Sequence, residues 1–317
     1  MRPRALHELP GHHDLGPALT PRLEIVVVNS TGGRELLHAC LASLARHPAS
    51  GGQKVWVVDN ASEDGSQAMV RGDFPWVELV ELDGNYGFCV ANNVALRQVK
   101  APYVLVLNPD TEVGEGVLDH MLGVMDERPE VGVSGCRLVM RDGTFDHAAK
   151  RSFPTPLGAL AHFLRVGRWE GAPSWLQQYR APELGEFDQG PVDSLNGAFM
   201  LIRREALDDV GLLDEGYWLY MDDLDWCFRF HRRGWGVWYD GSVSVLHVKG
   251  GTTVTERRRA RHRAVPQTVA FHRSMGRFYR KFYAGRRPLF DVVIYLAIGA
   301  KAAIAVTRSV VARRGLT

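Results

Sequence analysis

The sequence predicts an α/β fold in which a mostly parallel central sheet is flanked by helices and followed by a C-terminal helical extension. Three observations carry this. Short apolar strands alternate with helical stretches from Leu23 to Leu138, the rhythm of βαβ units. The strands are apolar at consecutive positions instead of every second one, as expected where both faces are covered. The run Tyr103–Leu107 stops abruptly at Asn108-Pro109-Asp110, and Pro109 cannot continue a central strand. That break sets a carboxylate at the carboxyl end of a parallel strand, where open α/β sheets bind ligands.

The elements follow in order. Leu23–Val28 is the first predicted strand, and Asn29–Gly33 a turn. Leu37, Leu41 and Leu44 recur at helical spacing within Arg34–Ala45. Lys54–Val58 is the second strand, ending at Asp59-Asn60, and Val77–Leu82 the third. Helices are expected over Gly87–Val99 and Gly116–Glu127, with strands at Tyr103–Leu107 and Val131–Leu138. Phe153–Pro191, rich in Pro, Gly and Trp, interrupts the alternation and reads as a loop or short-helix insertion near the acceptor side. Strands are expected again at Ala198–Ile202, Gly236–Tyr239 and Val243–Leu246, and helices at Arg204–Val210 and Asp222–Arg232. Lys249–Pro266 is a connector rich in Gly, Thr and Arg, and the remainder is helical. The domain reading is a mobile tail over 1–21, a catalytic domain over 22–265 and a basic, apolar helical segment over 266–317.

Charge narrows the function. Lys plus Arg is 38 and Asp plus Glu is 36. So small a basic excess argues against a dedicated nucleic-acid binder. The cations nevertheless crowd the last fifth, beginning at Arg257-Arg258-Arg259. Cys40, Cys89, Cys136 and Cys227 have no CxxC spacing, which suits free thiols in a reducing compartment. The N-terminus lacks the apolar core of a signal peptide.

Four stretches can carry chemistry. Asp59-Asn60, closing the second strand, offers an acceptor for a base N–H, and reads equally as an Asx turn with a helix cap. Asn85, Gly87 and Asn92 offer amides and a permissive backbone after the third strand. Asp110 is placed to hold Mg2+ or Mn2+ together with substrate phosphates, the coordination these ions favour. Asp222, Asp223 and Asp225 open a helix, which the helix dipole alone favours. Three acids beside aromatics also raise a carboxyl pKa, as a general base requires. His247 ends a strand as a metal ligand, a phosphate donor or a structural histidine.

Taken in order, Val57-Val58-Asp59-Asn60 through Ser66, Asn85-Tyr86-Gly87-Phe88 with Asn92-Asn93, Leu107–Thr111, Asn196–Arg204, Val210–Glu215 and Tyr220–Asp225 resemble family 2 glycosyltransferases. These are inverting nucleotide-sugar enzymes with a GT-A fold. The Asn-Pro-Asp form and the later acidic motif resemble the rhamnosyltransferase-like branch. The resemblance runs from about Leu23 to Gly251 and implies roles. Asp59 would contact the nucleotide base. Asn29, Asn60, Asn85, Gly87, Asn92, Asn108 and Asp110 would complete the donor site. Asp110 and His247 would hold the metal. Asp223 would be the base, with Asp222 where the family often has Glu. Asn196, Gly197 and Asp225 would lie on the acceptor side. Val28 stands where an aromatic often precedes Asn29, and Trp226 where a Leu is common. The donor of first choice is dTDP-L-rhamnose, with UDP or GDP sugars as alternatives. The acceptor is a glycan or a polyprenyl-diphosphate-linked sugar in cell-envelope polysaccharide synthesis.

The C-terminal segment supports a lipid-linked acceptor. Val292–Ile298 is apolar on all sides, and the stretch to Val306 falls short of the ~20 residues of a spanning helix. Basic and aromatic residues of Arg277–Tyr283 precede it and Arg308, Arg313 and Arg314 follow, a layout suited to peripheral attachment on the inner, cytoplasmic face of an anionic membrane. A helix buried on the catalytic domain or in a homodimer has the same pattern. Two rivals remain at this level. A nucleotidyltransferase wants a basic, Gly-rich phosphate loop that Asn29–Arg34 matches poorly. A non-catalytic nucleotide-sugar binder has little use for so many acids.

Overall fold

The computed structural model describes residues 20–153, 184–248, 265–285 and 287–314. The expected N-terminal tail, most of the insertion after Phe153 and the Arg-rich connector before Pro266 lie outside them.

Eleven strands and eight helices are formed among the described residues. β1 (Leu23–Asn29), α1 (Arg34–Arg46), β2 (Gln53–Asp59), α2 (Ser66–Asp73), β3 (Glu78–Glu81), α3 (Phe88–Leu96) and β4 (Tyr103–Leu107) make the first half. Then come β5 (Thr111–Val113), α4 (Val117–Glu127), β6 (Val131–Val139), β7 (Lys150–Arg151), β8 (Gln189–Pro191), β9 (Ser194–Leu195) and β10 (Phe199–Arg203). The chain closes with α5 (Arg204–Val210), α6 (Asp222–Arg232), β11 (Gly236–His247), α7 (Val265–Phe282) and α8 (Pro288–Arg314).

The main sheet runs β3-β2-β1-β4-β10-β6-β11-β5, with β8 on β11. β1, β2, β3 and β4 are mutually parallel, and β11 is parallel to β6. β10 is antiparallel to both β4 and β6. All five residues of β4 are buried, as the unbroken apolar run requires. Fully burying each such side chain contributes about 1.5–3 kcal/mol.

Three departures from the sequence reading have physical causes. The two strands expected over Gly236–Leu246 are one, β11, whose pairing to β6 shifts register between Asp240 and Ser244. Such a bulge accommodates polar Asp240-Gly241-Ser242 without ending the strand. β5, β7 and β9 are two or three residues long and exist only through their partners, so no periodicity marks them. α8 begins at Pro288, a favoured first helical residue. Its Pro288–Thr307 portion is therefore 20 residues of mean hydropathy 2.0, long and apolar enough by length and composition to cross a membrane.

α7 is integral to the domain: its Phe278 and Phe282 sit in the same core as the sheet. α8 folds back along α7, with Ile294 and Ile298 packed on Tyr279 and the Tyr279 hydroxyl donating to Asp291 (2.5 Å). Little else covers α8: Leu289, Val292, Val293, Tyr295, Leu296 and Ile304 are all exposed.

Candidate active site

A cavity of about 560 Å³ opens at the carboxyl ends of β1, β2 and β4. That size falls in the range of small-molecule sites, and the strand order reverses there at β1. Val28, Ser30, Thr31, Asn60 and Asn85 line the end nearest β1 and β2. Asn108, Pro109 and Asp110 line the end of β4. Arg151, Asn196, Gly197, Asp222 and Asp223 face them.

The topology explains why these residues meet. β10 is antiparallel to β4, so its start lies beside the end of β4: the Asn108 N–H donates to Ala198 O at 3.0 Å. This delivers Asn196 and Gly197. β11 is antiparallel to β5 with His247 opposite Thr111, and the Val248 N–H donates to Asp110 O at 2.8 Å. This delivers His247. β7 pairs with β9 and sets Arg151 opposite Ser194.

Asp110 and His247 are both buried, with Asp110 Oδ1 3.6 Å from His247 Nε2. Nδ1 of the same ring is 3.1 Å from Asp146 Oδ2. Burial pushes the imidazole down, but the two carboxylates outweigh it and hold its pKa up to about 9. A cation held by Asp110 and His247 together would have to displace the proton that a raised pKa favours on this ring. Asp146 fixes the ring as an outer carboxylate does for metal-bound histidines. The described residues hold no cluster of three or more ligating side chains. Two protein ligands suit an ion completed by diphosphate and water.

Asp222 and Asp223 open α6. Asp223 Oδ2 accepts from Arg151 (2.5 Å) and the Gly197 N–H (3.2 Å), and Oδ1 from the Leu224 N–H (2.8 Å). Burial, then the adjacent Asp223 charge, pushes the Asp222 carboxyl well above the ordinary range. The residues just before them, Tyr220 and Met221, are left-handed (φ 69° and 64°). Each costs about 1–3 kcal/mol without a glycine, strain that persists only where the surroundings enforce it.

Asn60 and Asn85 line the cavity as a pair: Asn60 Nδ2 donates to Asn85 Oδ1 at 3.1 Å, and Asn60 Oδ1 accepts from the Tyr86 N–H at 2.8 Å. Gly87 is required by close approach. Its φ is 84°, and a Cβ there would lie 2.4 Å from Trp218 Cδ1.

Other expected residues are elsewhere. Asp225 does not reach the acceptor side. It is fully buried and accepts from Arg229 (2.9 Å) and Lys281 (2.6 Å), because two residues along the helix from Asp223 turn it towards α7. Asp59 and Asn29 lie beneath the cavity, where Asp59 accepts from Asn29, Ser62 and Gln67 and so shapes the loop after β2. Asn92 is buried on α3 and donates to Phe88 O (2.9 Å), while Asn93 ties α3 to Leu213. Trp226, unexplained in the sequence, is fully buried and donates from its indole to Gly211 O at 2.9 Å. Sequence reasoning missed Arg151, Asp146, Trp218, Gln267 and Phe271. None sits in a motif, and all reach the site through tertiary packing.

A strand-end carboxylate facing buried Asp222 and part-buried Asp223, across a cavity on a sheet of this order, fits a transferase of the GT-A class. Comparison with known proteins agrees. Residues 24–211 match the family model "Glycosyl transferase family 2", and the chain belongs to that family. It is 30% identical over 248 residues to the N-acetylglucosaminyl-diphospho-decaprenol L-rhamnosyltransferase of Mycobacterium tuberculosis, spanning 74% of this chain and 78% of that protein. It is 25% identical over 171 residues to the rhamnosyltransferase WbbL of Escherichia coli K12, spanning 52% of this chain and 61% of the relative. Its fold is similar to the mannosyltransferase PcManGT of Pyrobaculum calidifontis, solved with GDP-Man and Mn2+ (TM-score 0.55, 18% identity, 93% of this chain and 75% of that one). It is also similar to Staphylococcus aureus TarS 1–349 (TM-score 0.53, 15% identity, 87% and 70%). The protein is a rhamnosyltransferase-like glycosyltransferase.

Proposed function

We propose that this enzyme transfers L-rhamnose from dTDP-L-rhamnose, with inversion, to a hydroxyl of a polyprenyl-diphosphate-linked sugar during cell-envelope polysaccharide synthesis. The observation that carries it is the convergence of Asp110 and Asp223, distant in sequence, on one cavity. The two named rhamnosyltransferases support the sugar, and the mycobacterial one supports the lipid-linked acceptor.

The residues divide the work. The nucleotide lies over the ends of β1 and β2, against Val28, Ser30, Thr31, Asn60 and Asn85. Asp110 and His247 would hold Mg2+ or Mn2+, which would supply positive charge to neutralise the departing diphosphate. Asp223 takes the proton of the acceptor hydroxyl as its oxygen attacks the anomeric carbon from the face opposite the diphosphate. Arg151 and the Gly197 N–H hold that carboxylate in place. A single displacement inverts the anomeric centre, so a β-linked donor gives an α-L-rhamnoside.

The enzyme works at the inner face of the membrane. α8 supplies the seat: its apolar Pro288–Thr307 portion is 11% buried in the protein, and Arg and Lys residues of α7 precede it in the chain. It lies in the interface as an apolar helix flanked by Arg and Lys.

The test is a panel of dTDP, UDP and GDP sugars incubated with enzyme and Mn2+, with nucleotide release measured in the absence of acceptor. Preferential hydrolysis of dTDP-L-rhamnose is expected. A faster UDP or GDP sugar redirects the donor assignment, and no release from any donor rejects the catalytic reading in favour of a binding protein.

A further inference from the structure

The cavity has a wall that the donor does not need. Trp218 and Tyr220, from the loop before α6, and Gln267 and Phe271, from α7, line it beside Asp222 and Asp223. The nucleotide is served by the β1 and β2 ends, and the diphosphate by Asp110. This wall stands on the side of the base, where an incoming hydroxyl must lie.

All four residues fall outside the 24–211 stretch that matches the family model. The wall is also rigidly built. Tyr220 and Phe271 meet edge to face at 5.5 Å. Ser274 Oγ of α7 donates to Leu219 O at 2.9 Å, and the Phe88 N–H to Trp218 O at 2.9 Å. These contacts clamp the residues that lead into the strained Tyr220-Met221 turn.

We infer that Phe271 and Gln267 of α7, with Trp218 and Tyr220, form the subsite that recognises the acceptor sugar. The inference rests on the transfer reaction proposed above. The aromatic faces offer apolar surface to the C–H face of a pyranose ring, and the Gln267 amide both donates and accepts, as a hydroxyl or acetamido group requires. α7 is also the helix on which α8 packs. A sugar carried on a membrane lipid is therefore presented on the side of the protein that reads it.

The test is steady-state kinetics on the full chain, using dTDP-L-rhamnose with N-acetylglucosaminyl diphosphate on a short polyprenyl chain, and with free GlcNAc, galactose and mannose. Phe271→Ala and Gln267→Ala are expected to raise the acceptor KM by roughly tenfold or more. The donor KM stays within about twofold. Phe271→Tyr, which keeps the ring, should restore most of the acceptor KM, separating recognition from a general loss of packing. An unchanged acceptor KM, or a donor KM that rises in parallel, overturns the subsite. A wild-type enzyme that hydrolyses donor yet transfers to none of these sugars overturns its assignment to a sugar. One that hydrolyses no donor rejects the proposed reaction, and the subsite falls with it.

Discussion

Lys281, on the first C-terminal helix, holds its Nζ 2.6 Å from Oδ2 of Asp225, a fully buried carboxylate two residues after Asp223. The same ammonium donates to Asp214 at 2.7 Å, and Arg277 reaches Asp214 at 2.6 Å. The C-terminal segment therefore anchors the helix that presents Asp222 and Asp223 to the cavity. Lys281→Met leaves Asp225 to Arg229 and the Tyr217 hydroxyl. Breaking a buried pair costs ~3–5 kcal/mol, and with Arg229 still in place about 2 kcal/mol is expected. Urea melts that match wild type would show that α7 is dispensable to α6.

Asp214 gives the fold a defined acid sensitivity. Burial pushes its carboxyl up, but hydrogen bonds from Lys281 and Arg277 outweigh this and hold it at about 2. Unfolded, it titrates near ~3.9. A depressed folded pKa stabilises the protein above the unfolded value, and the contribution fades as pH falls through the folded one. About 2 kcal/mol should thus be present at pH 7 and disappear between roughly pH 5 and pH 2. Asp214→Asn should lose it at pH 7 and flatten that part of the stability curve. A mutant curve parallel to wild type throughout would contradict this.

Asp223→Asn should lower kcat by about 10²–10⁴-fold, the usual worth of a general base, with donor affinity retained. Calorimetry with dTDP and Mn2+ checks the second half. Wild-type turnover by the mutant would remove Asp223 from the mechanism.

Asp222 should trade stability for function. Its carboxyl is pushed up in the fold, so above its folded pKa the folded state carries a charge it disfavours. Asp222→Asn should therefore raise Tm at pH 8 by a few degrees, at ~2–4 °C per kcal/mol, while activity falls. The gain should shrink as pH falls and vanish at about pH 3, below the unfolded value of ~3.9, where the side chain is protonated folded and unfolded alike. Equal Tm at both pH values would show that its burial carries no such cost.

The His247–Asp146 contact makes the metal site testable away from catalysis. Asp146→Asn removes the carboxylate that orients the ring, and should weaken Mn2+ binding in the presence of dTDP by about 10–100-fold. Asp110→Ala should abolish it. Unaltered Mn2+ affinity in both variants would place the ion elsewhere.

Much of this protein was legible along the chain because it rests on local chemistry. The unbroken apolar run of β4 announced a strand buried on both faces, and Pro109 marked its end, so the address of Asp110 followed. α6 was readable over Asp222–Arg232 from its acids and its apolar spacing, and the family resemblance came from motifs each only a few residues long. What only the tertiary structure decided concerns direction and partnership. Asp222 and Asp225 share a helical face by spacing, with Asp223 expected to point elsewhere, yet Asp222 and Asp223 line the cavity together and Asp225 turns to Lys281. Asp146, Arg151, Gln267 and Phe271 gave no signal, because their places are set by strand pairings and helix packing between residues far apart in the chain. Periodicity reports which side of an element is buried. Which neighbour waits there is settled when long-range contacts form together, and that determined here which acid faces the cavity and which one holds the fold.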